Sequence, residues 1–286
     1  MAESQGFIHR VVAPKEKLGA AWWFAFQEDR LLIRAQSSKI TVPYLVDFAE
    51  LGLPVLRQHY LGSLDGRNCY TVEVPKETLA PAGMAFEGLR RIYGGMNEDL
   101  FSVAGRAVQI INWDRAHQFC GLCGAKTRAH PTERAKECIQ CGFLHFPRLA
   151  PAIIVLVERG HEILLARARR FAEAMYSVIA GFVEPGETLE EAVIREVREE
   201  SGITVKEMRY FGSQPWPFPH SLMIGFTASY ASGQIIVGDE ENLDVDWFTA
   251  DRLPACLPNK MSIARKLIDW FLEREARALQ DKAKKT

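Results

Sequence analysis

The chain is poor in the features that would place it in a membrane, outside the cell or on a nucleic-acid track. No run approaches the roughly 20 consecutive apolar residues that a membrane span needs. The opening segment, MAESQGFIHRVVAPKEK, has neither the apolar core of a signal peptide nor the Arg-rich, acid-poor character of a transit peptide. The closing KAKKT is not a peroxisomal or endoplasmic-reticulum retrieval address. These absences make a cytoplasmic location the expectation. Charge of one sign is scarce too: 35 Lys and Arg balance 36 Asp and Glu, a net of −1, so any nucleic-acid contact must be local. There is no internal repeat and no low-complexity linker. Of six cysteines, Cys69 and Cys256 stand alone and read as buried small apolar residues.

What is present is an ordinary globular balance, 48% hydrophobic and 25% charged, in 286 residues, enough for two domains and a sizeable core. Residues 1 to about 82 read as β-rich. AWWFAF, QEDR and LLIRA form a hairpin pattern, and NCYTVEV after LDGR is another strand. From about 84 to 116 the pattern turns helical, with Asn97 as N-cap and Leu100, Val103, Ala104, Ala107, Val108 and Ile111 near the 3.6 period. Further on, IIVLV and EILLARA flank a Glu-Arg-Gly-His turn as adjacent buried strands. SVIAGFVE, MRYFGS, LMIGFTASY and VDWFTA supply more, and an amphipathic helix covers about 261 to 280. Strands mixed with a few helices predict an α+β or α/β/α sandwich in the C-terminal half.

Four cysteines form a pattern, Cys120-x-x-Cys123 and Cys138-x-x-Cys141, separated by 14 residues. Four thiolates at this spacing can close a tetrahedral zinc site, and Gly124 and Gly142 directly after each pair suit the tight turn of a zinc knuckle. Disulfides, a redox pair or an iron–sulfur cluster are the alternatives. Disulfides fit poorly with a chain that shows no export signal. A closed four-thiolate site has no open position, so this zinc is expected to be structural. A ribbon of this kind can also bind nucleic acid, and Arg115, Lys126, Arg128, Arg134, Lys136 and Arg148 lie in or beside it. An ordinary solvated surface accounts for such charges as well.

The most informative segment is GFVEPGETLEEAVIREVREESGI, residues 181–203. Thr188 and Glu191 make a capping box that starts a helix. Leu189, Ala192, Val193 and Val197 make its buried stripe, and Gly202 its C-terminal cap. Glu196, Glu199 and Glu200 share one helical face off that stripe, and like charges so placed are most easily tolerated around a divalent cation. Glu187 and Arg195 are placed to pair across the loop–helix junction. A solvated acidic face is the alternative for an arbitrary run of this kind, but here loop, cap, Arg and terminal Gly stand in register.

The segment fits the Nudix box, G-x5-E-x7-R-E-U-x-E-E-x-G-U, at Gly181, Glu187, Arg195, Glu196, Val197, Glu199, Glu200, Gly202 and Ile203. Ten residues later comes Ser213-Gln214-Pro215-Trp216-Pro217-Phe218-Pro219-His220-Ser221. Its alternating prolines exclude a helix and a central strand and predict a stiff loop holding Trp216 and Phe218 out. With the four-cysteine ribbon upstream, this loop makes residues of about 85 to 275 resemble the NADH pyrophosphatase family, with only a loose counterpart for the β-rich N-terminal part.

The resemblance implies a C-terminal Nudix α/β/α sandwich at 148–280, a small zinc ribbon at 116–147 and a β-rich N-terminal domain ending in helices at 1–115, an α+β chain as a whole. It implies cleavage of NAD(H) to nicotinamide mononucleotide and AMP, removal of NAD caps from RNA 5′ ends, and a homodimer. Magnesium or manganese would be held by Glu196, Glu200, the backbone carbonyl of Ala180 and an acid of Glu240-Glu241, with Glu241 the better match by spacing. Glu199 is a candidate to activate or orient the attacking water. Substrate contacts would come from Gln214, Pro215, Trp216, Pro217, Phe218, Pro219, His220, Ser221, Phe146, Ala264 and Arg91. Competing readings are a Nudix hydrolase of another nucleoside diphosphate derivative such as ADP-ribose, and a nucleic-acid-binding protein built on the ribbon.

Overall fold

The computed structural model describes residues 6–15, 19–36, 39–169, 174–236 and 242–283. They divide into two units, Met1–Arg148 and Leu149–Thr286. Among the described residues no helix is long and apolar enough to cross a membrane.

The first unit is built on a mixed sheet. Its strands are β1 (Phe7–His9), β2 (Ala21–Gln27), β3 (Arg30–Gln36), β4 (Lys39–Thr41), β5 (Tyr44–Leu45), β6 (Arg57–Leu64), β7 (Arg67–Val74) and β8 (Met84–Gly88). They lie in the order β1-β6-β7-β2-β3-β4, with β5 on β2 and β8 on β3. The β2–β3 hairpin turns at Glu28-Asp29 and the β6–β7 hairpin at Asp65-Gly66, where Asp65 and Gly66 both take positive φ, 49° and 77°, as a tight Asp-Gly hairpin turn requires. β2 runs parallel to β7 and is buried on both faces. Trp23 and Ala25 join Phe48, Val72 and Val74 in one cluster. Phe24 and Phe26 are buried on the other face, where Glu73, paired in register with Phe26, bonds Arg115 of a long helix. That helix is α2 (Glu98–Ala116), preceded by a short α1 (Leu89–Ile92). Asn97 caps α2 by accepting from the N–H groups of Asp99 and Leu100, and all six residues of the 3.6-period stripe are buried. The helical pattern expected from residue 84 instead begins with strand β8, because Met84–Gly88 completes the open edge of β3.

A three-stranded sheet follows, β9 (Thr127–Ala129), β10 (Lys136–Cys138) and β11 (Leu144–His145), in the order β11-β10-β9. It is tied to the rest of its unit through buried Asp114, whose carboxylate meets Lys136 Nζ at 2.6 Å and His59 Nε2 at 2.9 Å. Burial disfavours the ionised carboxyl, but these hydrogen bonds outweigh it and hold Asp114 well below the usual carboxylate range. Cys69 is fully buried as expected, and burial pushes its thiol up to about 12.

The second unit is a six-stranded sheet between two helices. Its elements are β12 (Ala150–Arg159), β13 (Glu162–Ala168), β14 (Ile179–Phe182), α3 (Leu189–Ser201), β15 (Thr204–Trp216), β16 (Ser221–Ser232), β17 (Asn242–Thr249) and α4 (Ile263–Ala283). The order is β15-β16-β12-β13-β17, with β14 on β12. Strand alternation divides the core. Ile153, Val155 and Val157 of β12 pack with Val193 and Val197 of α3, whereas Ile154 and Leu156 pack with Leu267, Ile268 and Phe271 of α4. This is the α/β/α sandwich that the strand and helix pattern predicts. Cys256 departs from expectation: it is partly exposed rather than buried.

Candidate active site

The box forms one hydrogen-bonded unit around α3. Thr188 Oγ1 accepts from the N–H of Glu191 while the Glu191 carboxylate accepts from the N–H of Thr188, so the capping box is complete. Gly202 ends the helix at φ 72°, and a Cβ there would also lie 2.8 Å from the carbonyl of Gln234.

Arg195 is the hub. Its Nε and Nη2 donate to the two oxygens of Glu187 at 2.8 and 2.9 Å, and Nη2 also donates to the carbonyl of Phe182 at 2.8 Å. Nη1 donates to Glu196 at 2.8 Å and to Glu199 at 3.1 Å. All five guanidinium N–H bonds are therefore directed at the box. Glu187, held first by Arg195 and then by the N–H of Glu184, is brought down to about 2. The pairing expected of Glu187 and Arg195 is present, and it binds the loop to the helix.

Glu196 corrects one expectation. It lies at the edge of the buried stripe, only 8% exposed, rather than off it. A Cβ built on Gly181 would fall 1.8 Å from the Glu196 Cδ and Oε1 atoms. The first box glycine is thus required by close approach: it leaves the volume that the Glu196 carboxylate fills. Glu199 is exposed and Glu200 half-buried, so the three glutamates differ in depth, and Arg195 offsets part of the repulsion between Glu196 and Glu199. Ala180 sits on β14, paired with Ile154 and adjoining Gly181. Glu241, with Glu240, lies outside the described residues. The oxygen donors of Glu196 and Glu200 fit a hard divalent cation, since magnesium is ordinarily held by one or two carboxylates together with water and substrate phosphate.

The Ser213–Ser221 segment is not a free loop. Through Trp216 it belongs to β15, pairing Gln214 with Met223, Pro215 with Leu222 and Trp216 with Ser221. β15 is an edge strand, which is where a strand accepts proline. Pro217–His220 make the turn, and the Phe218–Pro219 peptide is cis. Trp216 and Phe218 are half-buried, packed edge to face at 5.1 Å rather than held out singly. Ser221 is buried, and the carbonyl of His220 accepts from the N–H of Ala150. Gln214 spends its amide on the approach to α4: Nε2 donates to the carbonyl of Met261 at 2.7 Å and Oε1 accepts from the N–H of Ile263 at 2.7 Å. Ala264 is buried in the α4 core. Sequence patterns gave no sign of the Gln214 clamp, because its partners lie 47 and 49 residues away.

Two proposed contacts belong to the first unit. Phe146 presents a ring that is 54% exposed, and Arg91, itself exposed, pairs with Glu87 at 3.3 Å. In the ribbon, Gly124 and Gly142 take φ 76° and 72°, as knuckle turns require. The Sγ atoms of Cys120, Cys123, Cys138 and Cys141 all lie within 4.8 Å of one another, with neighbours at 3.4, 3.5 and 3.8 Å. A tetrahedron with zinc–sulfur bonds of about 2.3 Å has edges of about 3.8 Å, so the four thiols fit zinc. The N–H of Cys141, working with that of Gln140 against the cost of burial, brings the Cys138 thiol down to about 6, toward the thiolate a metal needs.

Residues 147–271 match the NUDIX domain, 115–146 the NADH pyrophosphatase zinc ribbon domain, and 20–113 the NADH pyrophosphatase-like rudimentary NUDIX domain. A relative from Stutzerimonas stutzeri (strain A1501), named NAD-capped RNA hydrolase NudC, is 49% identical over 78% of this chain and 80% of its own. One of the same name from Pseudomonas aeruginosa (strain LESB58) is 47% identical over 80% of this chain and 81% of its own. The chain belongs to the NADH pyrophosphatase family of Nudix hydrolases. The family likeness therefore reaches back to residue 20, well beyond the 85 at which the motifs alone begin to carry it. Among solved structures, a NUDIX hydrolase from Nitrosomonas europaea is similar over 56% of this chain and 93% of its own, at 23% identity and a TM-score of 0.49.

Proposed function

We propose that this chain hydrolyses the pyrophosphate of NAD(H) to nicotinamide mononucleotide and AMP, and removes NAD caps from RNA 5′ ends. The observation that carries the reading is the seat of Glu196: a buried carboxylate fitted against Gly181 and fixed by Arg195, in a chain whose relatives are named for NAD-cap hydrolysis. A pyrophosphate resists attack because its oxygens repel an anionic nucleophile. Magnesium or manganese, held by Glu196, Glu200, Glu241 and the Ala180 carbonyl, would neutralise that charge and acidify a bound water. The chain supplies position. Arg195 holds Glu196 and Glu199 at fixed separation, and Glu199 orients the water or takes its proton. Phosphoryl chemistry needs placement and electrostatics more than covalent help, so no Ser or Cys nucleophile is required.

The Trp216–Phe218 pair, with Pro215, Pro217, Pro219, His220 and Ser221, forms the wall for the dinucleotide, and the family resemblance assigns a ring-stacking role to Phe146. Gln214 fixes that wall to the segment carrying Ala264, and Arg91 adds a cationic contact. We assign residues 1–115, 116–147 and 148–280 to the N-terminal, ribbon and Nudix parts of a cytoplasmic homodimer, with one structural zinc per chain. The test is one incubation with magnesium or manganese and equal amounts of NADH, NAD, ADP-ribose and NAD-capped RNA. NADH and capped RNA are expected to be cleaved faster than ADP-ribose. ADP-ribose cleavage that is equal or faster overturns the reading.

A further inference from the structure

The first unit sorts its basic residues into two groups. Arg115, Lys136 and Arg128 are each paired with a carboxylate, of Glu73, Asp114 and Glu137, at 2.7, 2.6 and 2.9 Å. They are structural. Arg134 is different. Its Nη2 donates to the carbonyls of Arg10 and Tyr60, both at 2.8 Å, and among the described residues it meets no carboxylate. This contact sets the guanidinium of Arg134 against the end of β1, where His9 and Arg10 are exposed. Arg106 of α2 lies over the ring of Phe7 in the same strand at 4.7 Å, with Ser102, Val103, Gln109 and Ile110 as its helical neighbours, none of them acidic. Burial first, and then the charges of Arg134 and Arg106, hold the His9 imidazole below its ordinary value. Glu133 adjoins Arg134 in sequence and Asp65 lies two residues before Arg67, and both are exposed.

This cluster continues along one face of the sheet. Phe7 pairs with Leu64, Leu64 with Arg67, Trp22 with Cys69 and Trp22 with Tyr44. Paired residues share a face, as do Arg67 and Cys69 two apart on one strand. Trp22 and Tyr44 have ring centroids 4.5 Å apart, and Arg67 lies 5.2 Å from Tyr44 and 6.0 Å from Trp22. Tyr44 is 41% exposed. At a strand spacing of about 4.8 Å, the row from β1 to β5 is about 19 Å long. Arg106, Arg10 and Arg134 stand at its β1 end and Arg67 stands with the aromatic pair at the other, while Leu64 and Cys69 between them are buried.

We propose that this strip, from Arg134 and Arg106 through Arg67 to Trp22 and Tyr44, binds single-stranded RNA, phosphates on the arginines and a base on the aromatic pair. Cations that track a backbone beside aromatics that stack bases are the combination single strands require. The choice of RNA among polyanions rests on the function proposed above, whose capped substrate is an RNA.

The test uses the full chain and an uncapped 20-mer RNA, with binding read by fluorescence anisotropy over a range of salt. Arg106→Glu combined with Arg10→Glu is expected to weaken binding about tenfold or more at 0.1 M salt and to lower the slope of log K against log salt by about 1 to 2. Tyr44→Ala is expected to weaken it about five- to tenfold with the slope unchanged. NADH turnover should stay at the parent rate in all variants. Unchanged RNA affinity in the charge-reversed protein overturns the proposal. So does inorganic polyphosphate of equal charge binding as tightly as the RNA, because the aromatic pair would then contribute nothing. Because the ligand carries no cap, a chain that binds it yet cleaves neither NADH nor capped RNA would sink the catalytic reading and leave the strip standing.

Discussion

The two sheets share a plan of six strands, to which the first adds β1 and β4, and within that plan they differ at one connection. In the first unit, hairpin β2–β3 is followed by β5 on β2, then hairpin β6–β7 with β7 parallel to β2, then β8 on β3 and helix α2. In the second, hairpin β12–β13 is followed by β14 on β12, then hairpin β15–β16 with β16 parallel to β12, then β17 on β13 and helix α4. Between β14 and β15 stands α3, with 13 residues. Between β5 and β6 stands a single 3₁₀ turn of four, Phe48–Leu51. Both begin with a capping box, Thr188 with Glu191 and Asp47 with Glu50, and both end on a left-handed glycine, Gly202 and Gly52. The first unit thus keeps the start and stop signals but not the helix between them. Its one glutamate there, Glu50, is engaged in the cap. The pairing order is common to both units, and the Nudix box lies in the second.

That contrast can be broken most severely at Glu196. Glu196→Gln is expected to lower NADH turnover by about 10²- to 10³-fold, of the order seen when a preorganised electrostatic contact to a reacting group is lost. Glu50→Gln in the first unit should leave turnover unchanged. Gly181→Ala should approach the Glu196 loss without touching a carboxylate, because its methyl would occupy the space of the Glu196 head. Arg195→Ala or Glu187→Gln, which remove support rather than a direct contact, should cost about 10- to 100-fold. Steady-state kinetics checks each of these.

Smaller effects fall on stability. Thr188→Ala should destabilise the second unit by about 1 kcal/mol in denaturant melts, the ordinary cost of a lost N-cap. The pH dependence has a definite sign. Glu187 has a folded value near 2, depressed from 4.5, so its contribution is present above about pH 4.5 and is lost as the pH falls through about 2. Hydrogen exchange of the Glu184 amide, which donates to Glu187, should accelerate over that window beyond its intrinsic pH dependence, and Glu187→Gln should remove the effect.

The box was readable because each of its parts is local. A cap four residues long, a helix stripe and a terminal glycine all announce themselves within 23 positions. The depth of Glu196 was not readable, because it depends on β14 bringing Gly181 against the helix. The Ser213–Ser221 segment misled for a related reason. Alternating prolines exclude a central strand, as they should, but an edge strand tolerates them, and sheet order is not written in the segment itself. Likewise β8 looked helical until β3 offered it an unpaired edge. The likeness of the two sheets lies in pairing order rather than in any motif, so the first unit read only as β-rich.

The most direct test of the metal site proposed on the second unit is a titration of NADH turnover with magnesium and manganese, for the parent chain and for Glu196→Gln. It should be run after a chelator treatment mild enough to leave zinc on the four cysteines, as verified by thiol titration. The parent chain is expected to be inactive until metal is returned and then to saturate, releasing nicotinamide mononucleotide and AMP, while Glu196→Gln stays inactive or needs far more metal. Full turnover by the parent chain in excess chelator, or a parent-like metal titration in Glu196→Gln, would contradict the account.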